Sequence, residues 1–128
     1  MAGIELDQMD LKILRELQND GRMTNVELAE RVGISAPPCL RRVRKLEEAG
    51  IIEGYHAMLN NSKLGYDLVA FCMVGLKHQS EVNLKAFAAA TEKWPIVRQA
   101  WMVSGESDFL LHCLAENLTA FQTSSSRF

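Results

Sequence analysis

Apolar residues return at helical spacing three times in the first 50 positions of the chain. Ile13, Leu14 and Leu17 share one face of a first helix, with Asp7 as its expected N-cap and Leu6 as the staple residue before it. In TNVELAERV, Val26, Leu28, Ala29 and Val32 form a second apolar side, and Thr24 with Glu27 three residues later has the form of a capping box. Gly33 lets the chain leave that helix in the left-handed conformation. A third helix is predicted in SAPPCLRRVRKLEEAG, from Ser35 to Gly50, where 100° per residue puts Ala36, Cys39, Val43 and Leu46 in one stripe with Leu40 at its edge. Ser35 is the expected N-cap, accepting from the unpaired N–H groups of the first turn. Pro37 and Pro38 suit that turn because they lack an N–H and hold φ near the helical value. Gly50 is expected just past the helix end.

Beyond Gly50 the period changes. IIEGYHAML is rich in β-formers and predicts a short strand or wing from Ile51 to Leu59. NNSKLGYD is a polar joint, and LVAFCMVGL is apolar on both sides of its alternation, as a central strand would be. Ser80 can cap a helix that buries Val82, Ala86, Phe87 and Ala90, and Trp94-Pro95 ends it. IVRQAWMV reads as a strand, SGESD as a turn, FLLHCL as the returning strand, and Asn117 as the cap of a helix at LTAFQT. The fold class is therefore α+β: a three-helix head with a wing over residues 1–60, then β, α, β, β, α over residues 61–128. The second part holds five of the six elements of a ferredoxin-like βαββαβ domain, without its last strand. Serine runs neither continue a helix well nor form a buried strand, so the ending FQTSSSRF is expected to leave the pattern about 25 to 30 residues short, with one sheet edge open.

Charge changes the reading of the third helix. Pro38, Arg41, Arg42 and Lys45, flanked by Arg44, lie opposite its apolar stripe. A charge run on a helix is more often only a solvated face, and Glu47 and Glu48 fit that reading. Two short helices joined by a tight glycine turn, with the second basic on its outer face, are more specific: they match the helix-turn-helix pattern, whose partner is duplex DNA. The whole chain carries a net charge of −2, and residues 1–60 hold eight Lys and Arg against ten Asp and Glu. Binding must then depend on clustered cations and not on their sum.

Other classes find less support. No apolar run approaches the roughly 20 residues of a spanning helix, and MAGIELDQMD is too acidic for a signal peptide, so a cytoplasmic protein with no membrane partner is expected. Cys39, Cys72 and Cys113 are isolated among apolar neighbours and read as buried thiols, not as a disulfide or metal site. His112 and Cys113 are adjacent and so point to opposite faces of a strand, His56 and His78 stand alone, and no phosphate loop occurs. No catalytic residue, metal or cofactor is expected. A winged-helix module that binds protein in place of DNA is the alternative, and salt-dependent duplex binding separates the two.

SAPPCLRRVRKLEEAGIIEGY followed by a β-rich domain with the turn VSGESDFLL resembles the Lrp/AsnC family of bacterial and archaeal transcription regulators, over residues from about 5 to 122. The resemblance implies a helix-turn-helix over about Asn25 to Arg44, with Asn25, Ser35, Pro37, Pro38, Arg41, Arg42, Arg44 and Lys45 at the DNA. It implies a C-terminal domain that dimerises, assembles into octamers or related rings, and binds an amino acid effector between subunits. Ser104, Gly105, Glu106 and Asp108 would form the effector turn. By chemistry alone SGESD admits two readings: a zwitterion site of backbone N–H groups with an aspartate for the α-ammonium, or a hairpin turn whose residues suit its φ and ψ.

Overall fold

Helix α1 (Gln8–Asn19) starts where Asp7 accepts from the N–H of Asp10 at 2.8 Å, while Asp10 returns a bond to the N–H of Asp7 at 3.2 Å. This reciprocal capping box satisfies two donors of the first turn. α2 (Asn25–Val32) forms one half of the box expected for it: Thr24 accepts from the N–H of Glu27 at 3.2 Å. It ends at Gly33, whose φ of +83° only glycine adopts without strain. Three residues, Gly33, Ile34 and Ser35, separate it from α3 (Ala36–Glu48). Ile13, Leu28, Ala29, Val32, Cys39 and Leu46 form the core between these helices, with Leu6, Leu14, Leu17 and Val43 packed against it. Each fully buried Leu or Ile contributes about 1.5–3 kcal/mol. These elements belong to the first of two units of a computed structural model, which describes residues 3–126 and divides between Met58 and Leu59.

The expected strand from Ile51 to Leu59 is absent among the described residues. The stop of α3 explains why. Gly50 donates to Glu47 O at 3.0 Å, and Ile51 and Ile52 both donate to Leu46 O, at 3.0 and 3.2 Å. This closure uses the N–H groups a ladder would need and turns both isoleucines onto the core. Residues 53–59 then run exposed and without regular structure.

In the second unit, a 3₁₀ turn at Ser62–Leu64 precedes β1 (Leu68–Val74), α4 (Glu81–Thr91), β2 (Val97–Met102), β3 (Phe109–Ala115) and α5 (Leu118–Ser125). The sheet order is β1-β3-β2, all antiparallel, with a register slip between Val97 and Gln99. β3 is therefore the central strand, and β1, expected to be central, lies at an edge of this three-stranded sheet. One face of the sheet packs Phe109, Leu111 and Cys113 with Ala70, Cys72 and Val74 against Leu84, Phe87, Ala88 and Phe121.

Two helix expectations need correction. In α4 the inward stripe is Leu84, Phe87, Ala88 and Thr91, while Val82 and Ala86 are exposed. The segment is apolar almost all round, so its period did not mark a side. α5 continues through Ser124 and Ser125. Its hydroxyls bond back to the preceding turn, Thr123 to Thr119 O at 3.0 Å and Ser125 to Gln122 O at 3.2 Å, which reconciles them with the helix.

Candidate nucleic-acid interface and effector turn

α3 presents its cations as the stripe opposite its buried side requires. Cys39 and Leu46 are buried, whereas Pro37, Arg41, Arg44 and Lys45 are exposed and Pro38 and Arg42 half-buried. Arg41 lies one turn from both Arg44 and Lys45, so three exposed cations share one side. Ser35 occupies the N-cap position with extended φ and ψ, but its hydroxyl makes no cap bond. The reason is in the sequence: an N-cap oxygen accepts from the second or third helical N–H, and here those residues are Pro37 and Pro38. Ser35 contributes its carbonyl instead, which accepts from Cys39 at 3.3 Å.

Asn25 and Arg42 look inward. The Asn25 side chain donates to Ala36 O at 2.9 Å, tying the first residue of α2 to the first of α3, and its buried Oδ1 has no partner among the described residues. Arg42 Nη1 donates to Asp7 Oδ2 at 2.7 Å and to Asp10 Oδ1 at 3.0 Å. The guanidinium, with the N–H of Asp10, holds the Asp7 carboxyl below its usual range, and the two carboxylates raise Arg42. Glu5, Asp7, Asp10, Pro38, Arg41, Arg42 and Lys45 line one surface depression. Asp10 was not singled out in the sequence, although its place three residues after Asp7 has the spacing of a capping box. Its pairing with Arg42, across 32 positions, has no such local signal.

In the second unit Ser104, Gly105 and Glu106 are exposed on the turn between β2 and β3, and Gly105 has φ +114°. Asp108 is buried. Its N–H donates to Val74 O at 2.9 Å, its carbonyl accepts from Val103 at 2.9 Å, and Oδ2 accepts from Leu76 N–H at 2.7 Å. The turn and the segment after β1 therefore lie side by side, and a Cβ on Gly75 would stand 4.0 Å from Glu106 O. Three of the four expected effector residues face solvent, and the fourth anchors the turn.

The sheet face away from α4 and α5 is apolar and open. Val69, Phe71 and Met73 of β1 are at least half exposed, Trp101 of β2 is 42 % exposed, and His112 stacks on Phe71 with centroids 5.0 Å apart. Cys113, next to His112, points to the other face and is fully buried. The sequence alone did not single out this face, because both sides of β1 are apolar.

A helix-turn-helix with a basic outer face, followed by a helix-backed sheet with a glycine turn at one end, defines a DNA-binding regulator with an attached ligand-binding domain. Residues 6–53 match the family model described as winged helix-turn-helix DNA-binding, and residues 69–127 match the Lrp/AsnC ligand binding domain. The chain is 81 % identical over 119 residues to the leucine-responsive regulatory protein of Rhizobium meliloti (strain 1021), covering 93 % of this chain and 76 % of the relative. It is 42 % identical to the leucine-responsive regulatory protein of Salmonella typhimurium (strain LT2), covering 94 % and 73 %. A transcriptional regulator from Neisseria meningitidis, solved as a complex with L-Met, superposes with TM-score 0.87 at 42 % identity, over 92 % of this chain and 76 % of that one. An AsnC family regulator from Agrobacterium tumefaciens superposes with TM-score 0.90 at 33 % identity, over 95 % and 80 %. The chain belongs to the Lrp/AsnC family of transcriptional regulators.

Proposed function

We propose that the chain holds duplex DNA through the exposed face of α3 and adjusts that grip when an amino acid binds at the turn between β2 and β3. The observation that carries the first part is the grouping of Arg41, Arg44 and Lys45 on the solvent side of the second helix of a helix-turn-helix. A net charge of −2 makes indiscriminate attraction weak, so phosphate contact depends on this local cluster. Pro37 and Pro38 set the helix start close to the groove, and Ser35 and Asn25 hold the turn that aims it. Arg and Lys contacts to phosphate fix register, and one or two of the same side chains reach base edges.

For the effector, the exposed backbone at Ser104, Gly105 and Glu106 suits a carboxylate, and the L-Met complex of the Neisseria regulator supports an amino acid as the ligand class. Asp108 serves by holding the turn in shape, with its carboxylate beside the site. The open face of Val69, Phe71, Met73 and Trp101 supports association with a second copy, placing two heads on successive major grooves as a dimeric reader requires. Ligand would then act by shifting populations between assemblies. Such a regulator works in the cytoplasm and needs no catalytic group. No helix among the described residues is long and apolar enough to cross a membrane.

Fluorescence anisotropy of a labelled duplex against chain concentration, repeated over a salt series and with a panel of amino acids, tests the reading. Affinity that falls with salt and shifts with one or more amino acids is expected. Binding to protein partners with no salt-dependent duplex binding would favour the interaction-module alternative.

A further inference from the structure

Arg42 belongs by sequence to the basic run of α3, yet its geometry separates it from Arg41, Arg44 and Lys45. One nitrogen, Nη1, bridges Asp7 Oδ2 and Asp10 Oδ1 at 2.7 and 3.0 Å. The remaining oxygens of the same two carboxylates close the capping box, Asp7 Oδ1 on the N–H of Asp10 and Asp10 Oδ2 on the N–H of Asp7. Every carboxylate oxygen is thus committed, and the guanidinium joins the first turn of α1 to the middle of α3. The Asp7 arm is a surface pair, with Asp7 55 % exposed, whereas the Asp10 side chain is only 13 % exposed and shelters the other arm from solvent. A phosphate approaching Arg42 would meet one cation already facing two anions.

We infer that Arg42 is a positioning residue for DNA recognition: through Asp7 and Asp10 it fixes the angle of α3 against α1, and it does not itself neutralise a phosphate. The inference rests on the DNA-binding reading above. It makes a prediction of unusual sign. If charge alone mattered, removing the carboxylate of Asp10 beside Arg41 and Lys45 would strengthen DNA binding. If Asp10 holds the helix angle, its removal weakens binding.

The test uses the full chain with a duplex selected by the wild-type protein from a randomised pool, and an unrelated duplex of equal length. Arg42→Gln and Asp10→Ala are each expected to reduce affinity for the selected duplex by about tenfold relative to the unrelated one, a loss of specificity of about 1.4 kcal/mol. The log–log salt slope should remain at the wild-type value, whereas Lys45→Ala should lower it by about 0.9. A slope reduced in Arg42→Gln as in Lys45→Ala, or tighter binding by Asp10→Ala, would overturn the inference. Should either variant fail to fold, the wild-type chain still decides by NMR. On adding duplex, the guanidinium signals of Arg42 should keep their positions while those of Arg41 move, and movement of both would overturn the assignment. Wild-type chain without salt-dependent duplex binding would instead refute the DNA reading itself, a result distinguishable from either of these.

Discussion

The backbone N–H of Leu76 donates to Oδ2 of Asp108 at 2.7 Å, so a buried carboxylate links the segment after β1 to the turn between β2 and β3. The residue expected to receive an effector's ammonium group is therefore also a structural tie. Its two roles separate by substitution. Asp108→Ala leaves a donor unpaired and should cost the second unit about 1–3 kcal/mol in urea unfolding. Asp108→Asn keeps an acceptor and should recover most of that loss, while calorimetry should show weakened amino acid binding. Equal amino acid affinity in wild type and Asp108→Asn would remove the carboxylate from the effector site.

The first turn of α1 implies a pH dependence. Arg42, and then the N–H of Asp10, lower the Asp7 carboxyl from its usual 3.8. A group whose folded pKa is depressed stabilises above its unfolded pKa, about 3.9, and loses that contribution as pH falls through the folded value. Asp7→Asn should therefore melt below wild type at pH 6, and the two curves should converge in strong acid. Parallel curves from pH 6 to pH 2 would show that the ion pair adds nothing to the head.

The Cys113 thiol is pushed up to about 11, first by burial and then by the neighbouring Cys72. A raised folded pKa means stability that is complete below the unfolded thiol pKa of about 8.5 and declines as pH rises through the folded one. Unfolding free energy should drop between pH 9 and pH 11, and Cys113→Ala should reduce the drop. Iodoacetamide should modify Cys39 and Cys113 of the folded chain at pH 8 far more slowly than the same thiols in urea, as peptide mass mapping can follow. Equal rates in both states would contradict their burial.

Phe71, midway along the edge strand β1, stands 62 % exposed on an apolar sheet face. Burial against a second copy is worth about 25 cal/mol per Å² of apolar area. Phe71→Glu should shift the chain toward monomer in light scattering without unfolding the sheet, because the side chain lies outside its core. An unchanged mass at the same concentration would place self-association elsewhere.

The helices of the head were readable because their signals lie within a few residues of their ends: Asp7 and Thr24 cap starts, while Gly33 and Gly50 mark stops. The strand expected from Ile51 failed because β-propensity does not report that Leu46 O captures the next N–H groups. Ser35 shows the same limit at shorter range, where the prolines that mark the helix start also remove the donors its hydroxyl would serve. The exposed cations of the recognition face were visible in periodicity, since Arg41, Arg44 and Lys45 oppose Cys39 and Leu46. Arg42 falls only about 40° from Leu46 at 100° per residue, so its lean toward the buried side was in the periodicity too; its partners, carboxylates 32 and 35 positions away, were not. In the second unit, the order of elements followed from turns and caps. Which strand is central did not, since β1 and β3 are both apolar enough to be.

Salt dependence of duplex binding by wild type and Lys45→Ala tests most directly the claim that the α3 cations grip the backbone. Log affinity should fall linearly with log salt at a slope of about −0.9 per neutralised phosphate, and Lys45→Ala should lose about one such unit on every duplex tried. Binding that is absent at low salt, or whose slope is untouched by loss of Lys45, would contradict it.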